Sequence, residues 1–599
     1  MSSGYILGIS RGHNAGACLL KDGKIVFALE EERLSRVKYD GGPLAVMVKV
    51  KEYTDKLDHI FISHTQSLAD NAGKIEYSGD DIYTGLARKL KLIDHKVPAW
   101  IGKHPQVSDY SFQHHKIHAA CAFYRSGFDE AVAVVIDGAG TGFSAITGKE
   151  RTTLWEVETI IDCAYPNQLK TLYKHSATRD PIENVHVKES SSEHLQEEGT
   201  HESLVTNNAG ITKVYEAVTE YCGFSSIEAG KTMGLFPYGK ENKDIPDLFQ
   251  NNTSFGVPLS NRNLIVPTYP NAAKLNAKTW PFLDQDDFSL PDATHMQNRR
   301  DMAYAVQKQT QQAVLDMILK AVSMSGKKKV VFSGGYALNC VANYFLLDTL
   351  NEHGIELYVE PISNDGGTAI GAALLGYYNT FESDKKLNGR EIYLGPEYNY
   401  TEADILSLAN EYGATVETAD ESIIVDLMTS KNIVACFQGR SENGPRALGN
   451  RSLMFDPRFE DGKDYVNNIK HREYFRPFAG SILVEDVDSW FDLRGMKDSP
   501  HMMYAVNCKP GVEDKIPSII HVDGTCRIQT VSETDNPLYY NIIKAFKEKT
   551  GTPIIFNTSF NLGGEPLVET LEDALWTLQQ SDIEYLYLPE YNKLLKIAN

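Results

Sequence analysis

Apolar runs and their periods divide the chain before any single residue type does. Tyr5–Ser10 and Gly16–Leu20 are apolar runs joined by the small polar loop Arg11-Gly12-His13-Asn14-Ala15, and Lys21-Asp22-Gly23-Lys24 turns tightly into a third run, Ile25–Leu29. A similar unit starts near Glu130, where Ala-Val-Ala-Val-Val-Ile ends at Asp137 and a glycine-rich turn, and strand signals return near Thr153. Strand, polar glycine turn and strand, met twice, predict two related lobes closing on a ligand. From Arg299 to Val322 the period lengthens, with Met302, Val306, Ala313 and Met317 on one face of an amphipathic helix that feeds the strand Lys329–Phe332 and the turn Ser333-Gly334-Gly335.

Elsewhere the pattern fails, and the failures mark boundaries. From Lys170 to Val205 the chain turns polar, rich in Ser, Glu and His after Glu189, which predicts an exposed insertion or a mobile lid. The polar stretch Glu382–Arg390 predicts a domain boundary, with a first domain over residues 1–382 and a second over 391–599. The second opens with an amphipathic stretch, Thr401–Tyr412, and a strand, Ile433–Phe437.

Composition narrows the class. At 599 residues the chain has room for two or more domains, each with a full core. A formal net charge of -21 tells against a nucleic-acid polymer as partner, because such binders need a basic surface for counterion release. It leaves room for a small phosphorylated ligand in a local basic pocket. Eight scattered Cys without a Cys-x-x-Cys pair indicate reduced thiols, not a disulfide framework or a zinc ribbon. Nothing resembles a signal peptide or a bilayer-spanning run, so a soluble cytoplasmic protein without a membrane partner is expected.

Candidate chemistry gathers in two places. His114 and His118 are four apart and leave one face of a helix, whereas His115 points elsewhere and reads as structural. Asp137 stands where a buried parallel strand delivers a side chain to the ligand-binding edge of a sheet, as a turn former or as a ligand. Asp365 opens the small-residue helix after Ile362-Ser-Asn, as its N-cap or as a ligand. Two imidazoles and a carboxylate suggest a metal. The segment from Glu228 to Gly239 packs glycines around Lys231, as a plain connection or as a phosphate loop. In the second domain, Arg440, Arg446, Arg451, Lys470, Arg472, Arg476 and Arg527 lie at strand ends and turns. They either converge on a phosphate or carboxylate ligand or pair structurally with Asp456 and Glu473.

Taken together, HxxxHAA, VIDGxGxG, GKxMGLxPYG, SGGxALN, GRxExGPRALGNRS, KxRExFRPF, HVDGTxRxQTV and NTSFNxxGEP resemble the O-carbamoyltransferases of the nodulation-factor, cephamycin and tobramycin type, over nearly the whole chain. The resemblance implies an α/β protein: an N-terminal actin- and sugar-kinase-like (ASKHA, RNase H-like) two-lobed domain, and a C-terminal α/β YrdC-like domain similar to threonylcarbamoyl-AMP synthase. It implies that the second domain makes carbamoyl-AMP and pyrophosphate from carbamoyl phosphate and Mg-ATP. Lys470 and Arg472 match its KxR signature, Ser559 and Asn561 its SxN signature, and Arg446 and Arg527 the arginines that hold carbamoyl phosphate.

The first domain is then expected to move the carbamoyl group to a hydroxyl of a small acceptor, a natural product, sugar or modified nucleotide. His114, His118, Asp137 and Asp365 match metal positions where iron is implied, although the donor set suits Fe(II), Mn(II) or Zn(II) alike. His13 matches a general base, and Gly138, Lys231, Gly334, Gly335 and Asn339 are nucleotide-contact candidates. A homodimer is compatible with the resemblance. Asn14 stands where the family carries Asp and Phe236 where a small residue is usual, both departures near the acceptor. The competing readings are a sugar- or nucleotide-kinase-like ATPase, which has no need of the KxR and SxN sets, and a tRNA-threonylcarbamoylation subunit, against which the net charge weighs.

Overall fold

Tyr5–Ser10 (β1), Gly16–Lys21 (β2) and Lys24–Glu30 (β3) form the antiparallel meander that their apolar runs predict, and five of six β1 residues are buried. His59–Ser63 (β4) and Val107–Asp109 (β5) extend it in parallel on the other side of β1, giving the order β3-β2-β1-β4-β5. The computed structural model describes residues 4–64, 76–77, 80–97, 104–147, 150–191, 199–250, 255–268, 272–276, 292–387 and 389–597. They divide into two units, Met1–Glu31 with Tyr39–Arg390 and Glu32–Lys38 with Glu391–Asn599.

The second sheet of the first unit repeats that order. Glu130–Ile136 (β6), whose last six residues are buried, pairs antiparallel with Glu150–Ala164, which also carries Gly142–Thr147 (β7); the long strand is β8. Gln168–Ala177 (β9), Val185–Ser191 (β10) and Thr200–Thr206 (β11) continue that side, while Lys329–Ser333 (β12) and Glu356–Val359 (β13) run parallel to β6 on the other. Along the chain β6, β8, β9, β12 and β13 thus occupy places 1 to 5 of the order 3-2-1-4-5, as β1 to β5 do in the first sheet. The duplicated order agrees with the two related lobes that the sequence led one to expect, and it puts the carboxyl ends of the parallel strands where α/β sheets bind ligands.

Two expectations are corrected. The stretch from Lys170 to Val205 is not an irregular insertion in its described part, because β9, β10 and β11 belong to the sheet. The edge strand β10 is exposed at five of seven positions, so its polar face reads as loop although its backbone is paired. Residues 192–198 of that stretch lie outside the described residues. The glycine-rich segment around Lys231 is helical, with a turn at Ser226–Glu228, a helix at Ala229–Leu235 and a turn at Phe236–Tyr238, so neither the connection nor the phosphate loop is an open loop.

Three helices of this unit frame the strand ends: His114–Ser126 (α1), Ile211–Tyr221 (α2) and Gly366–Phe381 (α3). Every residue from His114 to Arg125 is buried, so α1 has no solvated face. Its close approach to α3 requires small residues, since a Cβ at Gly371 would stand 2.1 Å from the Ile117 carbonyl oxygen. That approach sets Asp365, at the head of α3, beside the first turns of α1.

The second unit is built on one ten-stranded mixed sheet. Its strands are Ala414–Thr418 (β14), Val434–Phe437 (β15), Arg451–Phe455 (β16), Ala479–Leu483 (β17), Phe491–Asp492 (β18), Ala505–Cys508 (β19), Thr525–Val531 (β20), Ile554–Ser559 (β21), Tyr585–Leu588 (β22) and Lys593–Ile597 (β23). They lie in the order β14-β23-β22-β15-β16-β21-β17-β20-β19-β18. Ile424, Met428, Tyr539, Ile542 and Phe546 from two helices cover one face of the central strands with no exposed surface. The eight cysteines are free thiols, and no described helix is long and apolar enough to cross a membrane.

Candidate metal centre and anion site

In the first unit the Nε2 atoms of His114 and His118 stand 3.2 Å apart. The His114 Nε2 is 3.5 Å from Asp137 Oδ2 and 3.6 Å from Asp365 Oδ1, and the His118 Nε2 is 3.5 Å from the same Asp365 oxygen. One ligand atom from each residue lies within 4.8 Å of all the others. Bonds of about 2.1 Å at tetrahedral or octahedral angles set neighbouring ligands roughly 3.0–3.4 Å apart, so the four side chains fit a divalent cation. Asp365 holds the N-cap position of α3 but makes no side-chain cap bond, its carboxylate facing the imidazoles instead. Of the two roles open to it, the capping one is not used.

Charge argues the same way. Burial alone would lower the His114 pKa, yet hydrogen bonds to Asp137 and Asp365 win and push it up to about 10. Burial works against the charge of both carboxylates as well, but the imidazoles hold them well below the usual carboxylate range. The site stabilises positive charge strongly. Nitrogen and oxygen donors with that preference suit a divalent metal ion. His115, by contrast, bonds Thr159 Oγ1 at 2.7 Å, and burial lowers its pKa to about 4, so it is a neutral structural residue.

The surrounding candidates fall into groups. Asp137 Oδ1 accepts from the Gly335 amide at 2.8 Å, tying the β6 end to the turn after β12. Gly334 has φ of +92°, and a Cβ there would meet the Ile136 carbonyl oxygen at 2.3 Å. His13 is half exposed, with Nδ1 3.8 Å from Asp365 Oδ2. Gly138 lies under Glu216, which pairs with Lys213 on α2 at 2.7 Å. Lys231 pairs with Glu228 at 2.7 Å on its own helix. Asn339 caps the following helix through the Ala342 amide and exchanges hydrogen bonds with Gln307, so its side chain is engaged structurally.

In the second unit the distant KxR and SxN pairs meet. Lys470 is buried at the end of the helix Gly462–Ile469. Its Nζ donates to the Ser559 carbonyl, to the Asn561 carbonyl at 2.6 Å and to Asn561 Oδ1 at 3.2 Å. Ser559 Oγ donates to Asn561 Oδ1 at 2.6 Å. Arg472 stands over the Phe478 ring at 5.2 Å, its Nη1 3.5 Å from Thr558 Oγ1. Burial, then Arg476 and Arg527, with Arg446 adding to them, lower the Arg472 pKa to about 9. Burial, Arg472 and Arg476 press Lys470 well below its ordinary value. Arg527 Nε is buried without a partner, and no carboxylate lies within ion-pair distance of Arg472 or Arg527 among the described residues. Asp456 pairs with Arg458 and Glu473 with Arg476, so the structural pairs form without using those two arginines. Cations crowded at each other's cost make this a candidate anion site.

Residues not singled out beforehand build this site from below. Glu442 Oε1 accepts from the amides of Leu448, Asn450 and Arg451 at 2.7, 2.8 and 3.2 Å, folding the loop that carries Arg446. Asn557 and Gln529 donate to the Ala447 and Leu448 carbonyls beneath it. Both had a signal, since both stand inside the NTSFN and RxQTV motifs. Arg451 proves structural: it is fully buried, donates to the Gln438 carbonyl at 2.6 Å and stacks on Phe437.

With both sites described, the chain was compared with known proteins. Residues 99–374 match the family model for the carbamoyltransferase N-terminus and residues 425–593 that for the carbamoyltransferase C-terminus. Nodulation protein NolO of Bradyrhizobium diazoefficiens is 30% identical over 482 residues, 79% of this chain and 77% of that protein. The chain belongs to the carbamoyltransferase family. This carbamoyltransferase is also 32% identical over 255 residues to a 3'-hydroxymethylcephem-O-carbamoyltransferase of Streptomyces clavuligerus, covering 42% of this chain and 46% of that one. Among solved structures, full-length HypF in its phosphate- and nucleotide-bound form aligns with 64% of this chain and 56% of its own, at 13% identity and a TM-score of 0.35. The protein is therefore an enzyme of the carbamoyltransferase type.

Proposed function

We propose that this carbamoyltransferase is an ATP-dependent O-carbamoyltransferase that works in two steps, one in each unit. The observation that carries the reading is the meeting of Lys470 with Ser559 and Asn561 inside a cluster of arginines, in a protein whose net charge is -21. In the second unit, water breaks the carbamoyl-phosphate P–O bond and phosphate leaves. A carbamate oxygen then bonds the α-phosphorus of ATP, and pyrophosphate leaves with the electron pair of the broken bond. Arg446, Arg472 and Arg527 neutralise the phosphate oxygens as their charge grows, in a geometry already set before reaction. Lys470 holds the Ser559–Asn561 turn in register with them.

In the first unit, an acceptor hydroxyl attacks the carbamoyl carbon of carbamoyl-AMP, its proton passes to a base, and AMP leaves. A divalent cation held by His114, His118, Asp137 and Asp365 supplies Lewis acidity at that centre when bound. His13 is half exposed to solvent and stands 3.8 Å from Asp365, and it is the base that takes the proton in this reading. The polar loop, with Asn14 in place of an acid, favours a hydroxyl-bearing small molecule as acceptor.

Purified protein given ATP and carbamoyl phosphate is expected to release pyrophosphate and phosphate together, and no pyrophosphate without carbamoyl phosphate. Equal pyrophosphate release with and without carbamoyl phosphate, or none in either case, rejects the adenylate step.

A further inference from the structure

Residues 32–38 leave the first unit and belong to the second, although the chain returns to the first unit at Tyr39. Two arginines of this strap reach the two loops that carry the anion site. Arg33 is buried, and its Nη2 donates to the Gly444 carbonyl at 3.0 Å, two residues before Arg446. Gly444 has φ of +93°, a turn conformation that glycine adopts without strain. The fully buried Glu569 takes Arg33 and Arg451 as its neighbouring cations. Arg36 donates to the Leu567 carbonyl at 2.7 Å and the Pro566 carbonyl at 3.2 Å, and stands 3.5 Å from Asp573. Those carbonyls close the loop that begins at Ser559 and Asn561, whose other side is tied by Gly563 N to the Lys470 carbonyl at 3.0 Å. Arg36 itself has φ of +60°, a conformation that a non-glycine residue keeps only where its surroundings impose it.

We propose that Arg33 and Arg36 are positioning residues for the anion site of the second unit: a strap from the N-terminal part of the chain fixes the Arg446 loop at Gly444 and the Ser559–Asn561 loop at Pro566–Leu567. The inference rests on the reading of that site as the place where carbamoyl phosphate is used. Neither arginine touches the substrate. Each acts through backbone carbonyls, so its loss loosens a loop and spreads the arginines that converge on phosphate oxygens. A charged donor to a buried carbonyl is the stronger kind of hydrogen bond, and removing it leaves the acceptor unpaired.

The test uses the full chain and the variants Arg33→Ala, Arg33→Lys, Arg36→Ala and Val37→Ala, the last an exposed strap residue serving as control. Amide hydrogen exchange is followed in peptides covering residues 440–450 and 560–568, beside the kinetics of carbamoyl-phosphate-dependent pyrophosphate release. Arg33→Ala is expected to quicken exchange in the first peptide and raise KM for carbamoyl phosphate by about tenfold or more, the scale of one lost charged hydrogen bond, with a smaller change in kcat. Arg33→Lys recovers part of that KM, and Arg36→Ala quickens the second peptide instead. Unchanged exchange in both loops and an unchanged KM, in folded Arg33→Ala and Arg36→Ala proteins, overturn the proposal. If Arg33→Ala does not fold, Arg33→Lys and Arg36→Ala decide by the same readouts. Wild-type protein that releases no pyrophosphate rejects the adenylate reading alone, because the exchange data still decide whether the strap holds the loops.

Discussion

The Asp365 carboxylate, at the head of its helix, turns away from the backbone amides it is placed to cap and stands 3.5 Å from the His118 Nε2. A helix gives up a side-chain cap worth about 1 kcal/mol when the carboxylate serves something stronger. Metal analysis of the purified protein is therefore expected to find a divalent ion, and titration of the chelated protein to restore it. Asp365→Asn or His118→Ala should weaken that binding by at least the ~10–100-fold that loss of a supporting partner costs a metal site. Chelation should also lower the melting temperature of the wild type, and less so that of His118→Ala. Equal metal content in wild type and both variants counts against the site.

The two units allow the half-reactions to be separated. Arg527, with a buried and unpartnered Nε in the second unit, should be needed for pyrophosphate release, and Arg527→Ala is expected to cost about 100-fold or more there, as loss of a preorganised charge-stabilising group does. His118→Ala should release pyrophosphate at nearly the wild-type rate and fail to carbamoylate an acceptor alcohol. Pyrophosphate assays and mass detection of the carbamoylated alcohol read the two separately. If both variants lose pyrophosphate release, the division between units is wrong.

The strands β1, β2, β3 and β6 were legible because apolar runs stand between turn signals, and the helix α1 from the spacing of its histidines. The edge strand β10 was not, because an edge with two wet faces carries no such period, and its charged side chains mimic a loop. Histidine spacing pointed to the candidate metal centre, yet the pairing of His118 with Asp365 depends on Gly371, whose missing Cβ lets α3 approach the backbone of Ile117, next to His118. Asn339, singled out by its motif, also caps a helix and bonds Gln307, neither of which spacing along the chain reveals. The strap at Glu32–Lys38 was hidden for a similar reason: its partners lie more than four hundred residues away, and a segment of seven residues is too short to show a period.

Lys470 predicts a pH dependence. Burial, Arg472 and Arg476 lower its pKa well below the ordinary lysine value, and the ammonium form is the one that donates to Ser559 and Asn561. Pyrophosphate release should then fall as pH rises through that depressed value, while the acid side is set elsewhere. Lys470→Arg puts an intrinsically more basic side chain at that place, so the alkaline fall should move upward even where the maximum rate is lower. Profiles of kcat/KM for carbamoyl phosphate test this, and superimposed alkaline limbs in the two proteins would count against it.

Beneath the metal centre, Glu156 accepts from Lys174 Nζ at 2.6 Å and from the Thr141 amide at 2.9 Å, both side chains fully buried. Thr141 in turn accepts from the His114 amide at 3.3 Å, so this pair supports the first turn of α1. Burial opposes the Glu156 charge, but Lys174 and His115 win and lower its pKa from 4.5 to about 2. A carboxylate depressed on folding contributes stability that is fully present above its unfolded value and is lost as pH falls through the folded one. Wild-type unfolding free energy should therefore decline between about pH 4.5 and pH 2 in part through this residue. Glu156→Gln removes one charge of a buried ion pair, which should cost about 3–5 kcal/mol at neutral pH. The gap between variant and wild type should then close as the pH is lowered, because the wild type also loses the negative charge. Denaturant melts at several pH values measure that gap, and one that stays constant with pH would assign the lost stability to packing instead of to the ion pair.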